Sequence, residues 1–237
     1  MPMKALMLAA GVGNRLSGND ESHPPKCLLK FDGRTLLARH IENLQAAGVT
    51  ELVLVVGYRA DDIWEEVEAL GAGGYVRFME NPRYREGSLI SLWTAREVLS
   101  EGDTVLFMDA DVLYDVRILQ WMIEGPGSTC FPFDTSFEDG DEPVKFCLRG
   151  DRPVEFRKAV NNKDYETVGE WVGFIRLDPE FAGALAEQTN RYMEAQRFQD
   201  PYEEPIRDLL LSNLGDTVGS VDVAGLPWIE IDFPEDM

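Results

Sequence analysis

Apolar positions along the chain alternate between two rhythms. Lys4 to Ala9 is an almost continuous apolar run that predicts a buried strand, and it ends in the turn signal Gly11-Val12-Gly13. After a loop containing Pro24 and Pro25, Leu36 to Ala47 has apolar residues at helical spacing and stops at Gly48. Glu51 to Val56 is valine-rich and apolar, which predicts a central strand covered on both faces. Asp61 to Leu70 predicts a helix closed by Gly71, Tyr75 to Met79 a short strand, and Ser88 to Leu99 another helix. Thr104 to Met108 is a further buried strand that runs straight into Asp109-Ala110-Asp111.

Strands alternating with helices over residues 1–115 predict an α/β fold with a doubly wound, mostly parallel sheet of Rossmann-like type. Ligands of such sheets bind beyond the carboxyl ends of the strands. The loops Gly11 to Arg15 and Asp109 to Asp111 both follow strands at that end, so one crevice is expected between them. Residues 116–237 are less regular. Ser128 to Phe133, Val144 to Leu148 and Val154 to Arg157 read as strands separated by Asp139-Gly140-Asp141 and Arg149-Gly150-Asp151. They predict a small antiparallel extension over the pocket of a second substrate. Phe181 to Phe198 and Pro205 to Asn213 read as helices, and Val218 to Val223 and Trp228 to Phe233 as closing apolar segments. With no internal repeat and no linker, residues 1–237 are expected to form one domain.

Composition narrows the function classes. Apolar residues make up 44% of the 237, enough for a full core. The net charge of −21 argues against nucleic acid or an anionic membrane as partner, since both need clustered Lys and Arg. An anionic ligand would need a local cationic pocket and a metal ion, whereas a cationic one would be welcomed. Cys27, Cys130 and Cys147 are odd in number and lack CxxC spacing, which argues against disulfides or zinc and for a reducing compartment. The apolar run before Gly11 is too short for a signal peptide, and no segment approaches the roughly 20 apolar residues of a membrane span. A cytoplasmic protein is expected, with a homodimer left open.

Three constellations carry chemistry. The first is Leu8-Ala9-Ala10-Gly11-Val12-Gly13-Asn14-Arg15, followed by Pro25-Lys26-Cys27-Leu28. Glycines let backbone N–H groups approach phosphate oxygens, and Arg15 and Lys26 add charge. It is neither a Walker A loop nor a dinucleotide fingerprint, because the residues those motifs need are missing. The second is Asp109-Ala110-Asp111 at a strand end, where a turn can bring carboxylates toward one metal. The third is Trp228-Ile229-Glu230-Ile231-Asp232 near the C-terminus.

Together these motifs resemble the nucleotidyltransferases that activate sugar phosphates and phosphocholine, from the first strand to the last residues. The resemblance implies a nucleotide-binding half (1–115) and an acceptor-binding half (116–237). It implies a loop wrapping a triphosphate from CTP or another NTP, with Arg15 and Lys26 acting on the leaving pyrophosphate. It also implies Mg²⁺ held by Asp111 and Asp232, and Asn81, Ser88 and Asp109 beside the nucleotide.

Asn81-Pro82-Arg83-Tyr84, Gly87 to Trp93, Gly169 to Phe174 and Tyr202-Glu203-Glu204 resemble the branch that transfers a cytidylyl group to phosphocholine or a phosphonate. Gly87 and Ser88 stand where some relatives carry asparagines. A cationic acceptor needs aromatic faces and carboxylates, for which Trp171, Tyr202, Trp228, Glu170, Glu203 and Glu230 are candidates. Lys158 is the candidate for the acceptor's phosphate or phosphonate. A sugar-1-phosphate or inositol-phosphate nucleotidyltransferase is the alternative within the class. A non-catalytic nucleotide-binding regulator is the alternative outside it, though Arg15, Lys26 and the metal aspartates are all present. The lack of a P-loop or kinase glycine loop with its Asp/Asn pair argues against a kinase.

Overall fold

Met3–Ala9 (β1) is the pivot of a ten-stranded sheet in the computed structural model, which describes residues 2–18, 22–161 and 164–237. Glu51–Val56 (β2) lies parallel beside β1, and Val76–Glu80 (β3) lies parallel beside β2. Helices Leu36–Ala46 (α1) and Ala60–Ala69 (α2) make the two crossovers. The chain then passes through Ser88–Thr94 (α3) and Arg96–Leu99 (α4) and returns on the other side of β1 as Thr104–Asp109 (β4), again parallel. The strand order therefore reverses between β1 and β4. Such a reversal opens a crevice at the carboxyl ends of those two strands.

Val112–Tyr114 (β5) and Val116–Glu124 (α5) lead away from β4 into an antiparallel half. This half contains Thr129–Asp134 (β6), Lys145–Arg149 (β7), Arg152–Arg157 (β8), Thr167–Trp171 (β9) and Phe174–Leu177 (β10). The sheet runs β8-β7-β9-β6-β10-β4-β1-β2-β3. The antiparallel strands are thus hydrogen-bonded into the same sheet as the parallel ones, through β10 against β4. Helices Pro179–Glu194 (α6) and Glu203–Leu210 (α7) follow, and Val218–Asp222 (β11) adds to β6 in parallel. Trp228–Glu230 (β12) pairs with β5, which brings the C-terminal carboxylates back to the end of β4.

Strand alternation explains why both faces are covered. Ala5, Met7, Leu52, Leu54 and Met108 pack against α1, α2 and α5 on one face. Leu6, Val53, Val55 and Phe107 pack against α3, α4, α6 and α7 on the other. Burying both faces fixes the register of the central strands and hence the position of the loops at their ends.

The predicted α/β, doubly wound architecture is the one observed. Several expected elements have other bounds, and β5, α5, β9 and β10 fall where no element was expected. The single helix expected over 88–99 breaks at Ala95 into α3 and α4. The helix expected to reach Phe198 ends at Glu194, and Gln196 there takes a positive φ of 58°. The segment Trp228 to Phe233 is a strand only to Glu230 and then turns at Pro234–Asp236. No helix among the described residues is long and apolar enough to cross a membrane.

Candidate active site

The crevice beyond β1 and β4 is a cleft of about 590 Å³. Among its walls are Leu8, Ala10, Gly11, Val12, Asn14 and Arg15, which come from β1 and its loop. Gly13 bends that loop with φ +72°, and a Cβ there would lie 3.3 Å from Cγ of Lys26. The absence of a side chain lets Lys26 cross over the loop. Ala9 and Gly13 line an adjoining hollow of about 260 Å³, which shares Leu8, Gly11, Asn14, Arg15, Lys26 and Asp111 with the main cleft or its rim.

Lys26 starts a short 3₁₀ turn, and its Nζ reaches Asp111 Oδ2 at 2.8 Å and Asp232 Oδ1 at 2.5 Å. Burial alone would lower its pKa, but the charges and hydrogen bonds of the two aspartates outweigh it and raise it. The guanidinium of Arg15 donates to Glu142 Oε2 at 2.6 Å, forms an ion pair with Asp232 Oδ2 at 2.8 Å, and lies over the Phe233 ring. Residues from the two ends of the chain therefore meet at one point. Ile231 N donates to Asp111 O at 3.0 Å, and the Asp236 carboxylate accepts from Asp232 N at 2.9 Å. These bonds fix the C-terminal strand against the turn after β4.

Asp111, Glu230 and Asp232 each offer a carboxylate oxygen, all within 4.8 Å of one another. An all-oxygen donor set suits a hard divalent cation, and the Lys26 ammonium already bonds two of the three. Glu230, expected at the acceptor, lines the cleft and also joins this group. Crowding by protein atoms, then the charges of Asp111 and Asp232, push its carboxyl up to about 8.

Asp109 is the last residue of β4. Its N–H donates to Gly173 O at 3.0 Å, and its carboxylate oxygens accept from the Tyr202 hydroxyl at 2.8 and 2.6 Å. Burial, followed by the charges of Asp111 and Glu230, raises the Asp109 carboxyl well above the usual range. Tyr202 packs edge-on against Trp171 and Phe107. Glu203, Lys158 and Ser88 complete this part of the cleft, and Ser88 Oγ accepts from Tyr202 N at 3.2 Å. Burial also raises the Glu203 carboxyl.

Three expected residues lie elsewhere. Asn81 is 1% exposed, donates Nδ2–H to Ser91 Oγ and accepts from Arg83 N, so its amide is consumed in holding a turn against α3. Glu170 precedes Trp171 on β9, and successive side chains of a strand point to opposite faces. Trp171 walls the cleft, whereas Glu170 lines a separate hollow of about 300 Å³ with Trp228 and Asp134. There Trp228 Nε1–H donates to Asp134 Oδ2 at 2.9 Å, and burial followed by Asp134 pushes Glu170 up to about 7. Glu230 and Asp232 border both spaces. Arg85, Glu142 and Pro201 also line the cleft, although no motif in the sequence marks them.

The chain belongs to the family of MobA-like NTP transferase domains, whose family model matches residues 5–159. It is 30% identical over 236 residues to a bifunctional IPC transferase and DIPP synthase of Rubrobacter xylanophilus, with 98% of the chain and 50% of that protein aligned. It is 27% identical over 248 residues to a CMP-5'-(3-aminopropyl)phosphonate synthase of Streptomyces rubellomurinus, with 100% of the chain and 38% of that protein aligned. The chain thus spans half or less of the length of these relatives. Its fold matches the CTP:phosphocholine cytidylyltransferase of Streptococcus pneumoniae with a TM-score of 0.74 at 21% identity, over 100% of the chain and 96% of that structure.

Proposed function

We propose that this member of the MobA-like NTP transferase family is a cytidylyltransferase, moving CMP from CTP to a small phosphorylated or phosphonate acceptor that carries a cationic group. One observation carries the reading. The glycine loop with Arg15 and Lys26 faces the Asp111–Glu230–Asp232 carboxylates across the mouth of the β1/β4 crevice. Cations for a triphosphate and oxygen donors for Mg²⁺ meet there, as inline transfer at phosphorus requires. The aligned relative named as a CMP-5'-(3-aminopropyl)phosphonate synthase and the shared fold of a CTP:phosphocholine enzyme support cytidylyl transfer.

The acceptor's phosphoryl or phosphonyl oxygen forms the new bond to the α-phosphorus, the bond from that phosphorus to the β-phosphate oxygen breaks, and pyrophosphate leaves. The attacking oxygen is already anionic, so no side chain has to remove a proton from it. Arg15 and Lys26 offset charge on the departing pyrophosphate, and Lys158 holds the acceptor's anionic end. Asp111, Asp232 and Glu230 would hold Mg²⁺, which would supply neutralisation of the phosphates' charge when bound. Trp171, Tyr202, Asp109 and Glu203 form a part-aromatic, acidic wall that suits an ammonium.

The test is pyrophosphate release measured for CTP and the other nucleoside triphosphates. Each is paired with phosphocholine, 2-aminoethylphosphonate, inositol phosphate and hexose 1-phosphates. The expected result is turnover with CTP and a cationic acceptor; turnover confined to hexose 1-phosphates would replace the reading with sugar activation. Asp111→Ala and Lys26→Ala are expected to lower turnover by about 10²-fold or more, as loss of a preorganised charge does. Near-normal pyrophosphate release by either variant would remove the core of the mechanism.

A further inference from the structure

Glu142 lies in the connection between β6 and β7, outside every motif in the sequence, yet its carboxylate reaches into the mouth of the cleft. One oxygen, Oε2, accepts from Arg15 Nη1 at 2.6 Å and from Lys158 Nζ at 3.1 Å. These are two of the cations assigned above to the anionic groups of the two substrates. The connection is tied at its base, where Lys145 Nζ donates to Gly140 O and to Lys158 O and pairs with Asp139 at 3.2 Å. Glu142 is therefore presented to Arg15 and Lys158 by an anchored segment. Arg15, Lys158 and Glu142 side chains are 44%, 43% and 57% exposed, so an incoming anion can reach all three from solvent.

A carboxylate shared by a guanidinium and an ammonium is what a phosphate oxygen would be in the same place. We propose that Glu142 is a tethered internal anion that occupies a substrate-phosphate position between Arg15 and Lys158 in the ligand-free protein, and that the nucleotide displaces it on binding. The inference rests on the reading that Arg15 receives the triphosphate.

Two consequences follow from the shared oxygen. Glu142 competes with the nucleotide, so it weakens nucleotide affinity. Displacing Oε2 from its place between the two cations also breaks its bond to Lys158, which then becomes free for the acceptor's anionic end. Glu142 is thus a positioning residue that couples the two binding events and touches neither reacting atom.

The experiment is calorimetric titration, in the presence of magnesium and without acceptor, of the wild type, Glu142→Gln and Glu138→Gln. The probes are CTP and inorganic tripolyphosphate. Glu138 is an exposed acid of the same connection, and its loss controls for the general effect of removing one negative charge. Two exposed ion pairs together correspond to a factor of about twofold to thirtyfold. Glu142→Gln is expected to bind both probes tighter by that factor, with the same gain for each because Glu142 opposes only the phosphates. Glu138→Gln is expected to stay close to the wild type. Unchanged or weaker binding by Glu142→Gln overturns the proposal, and so does an equal gain in Glu138→Gln. Failure of the wild type to bind CTP at all would instead overturn the functional reading, and this inference with it.

Discussion

Asp109 shows how individual residues constrain this site, because its surroundings are restrictive on two sides. The Tyr202 hydroxyl is the side-chain donor to both its carboxylate oxygens, and Gly173 packs so close that an added Cβ would come within 2.8 Å of Oδ2. Tyr202→Phe is therefore expected to destabilise the fold by about 1–3 kcal/mol, the cost of a buried acceptor losing its partner, read from urea unfolding. On the functional reading it should also raise KM for the acceptor more than it lowers kcat. Gly173→Ala meets both the contact and a φ of +84°, and a loss of about 1–3 kcal/mol is expected in the same measurement. A Gly173→Ala variant as stable as the wild type would show that the β9–β10 turn yields easily.

The residues that meet at the cleft differ in how legible they are. Gly11, Gly13, Arg15 and Lys26 form a local pattern, and Asp111 and Asp232 stand at strand ends, so sequence alone marks them as candidates. Glu142 and Arg85 are single charges in loops of a chain with many charges, and nothing local separates them from solvated ones. The misplacement of Glu170 has a simple cause. It is next to Trp171 in sequence, but strand alternation puts the two on opposite faces.

At the scale of elements, Asp178 joins α6 to the sheet. Its Oδ1 accepts from Glu180 N and Phe181 N at the helix N-terminus, and its Oδ2 accepts from the hydroxyls of Ser128 and Thr129 at the start of β6. Asp178→Ala removes the cap and the strand contact together, with an expected cost of about 2 kcal/mol in chemical denaturation. Burial would raise this carboxyl, but the hydrogen bonds prevail and its pKa is lowered. Its contribution is therefore present above the unfolded carboxylate pKa and lost as pH falls through the folded one. The difference between wild type and variant should shrink below about pH 4.

The same scale shows why some strands were invisible in the sequence. Gly169 lies inside β9 because a Cβ there would meet the Phe133 ring at 2.6 Å and Asp134 O at 2.7 Å. The close approach of β6 demands glycine, and glycine erases the alternating pattern by which a strand is read. The central parallel strands β1, β2 and β4 contain no glycine. Their continuous valine and leucine runs, buried on both faces, mark them plainly.

At the scale of the whole molecule, the charge of −21 and the protonation of Glu170 and Glu230 act in the same direction. Glu170 and Glu230 are pushed up to about 7 and about 8 in the folded protein, from an ordinary value of 4.5. Between about pH 4.5 and those values the folded state holds more protons than the unfolded state. By linkage, stability falls as pH rises across that window. Self-repulsion among the surface carboxylates adds to this, since a large net charge opposes a compact state. The melting temperature, measured without magnesium, is therefore expected to rise when pH is lowered from 8 to about 5.5. The two causes separate by salt. Added sodium chloride at about 0.5 M screens the long-range repulsion, because the Debye length falls well below 10 Å, but leaves the local environments of Glu170 and Glu230 largely intact. The expected outcome is a pH dependence that is reduced but still present at high salt, and reduced further in Glu170→Gln. A melting temperature independent of pH between 5.5 and 8 at both salt concentrations would show that neither carboxyl stays protonated at neutral pH.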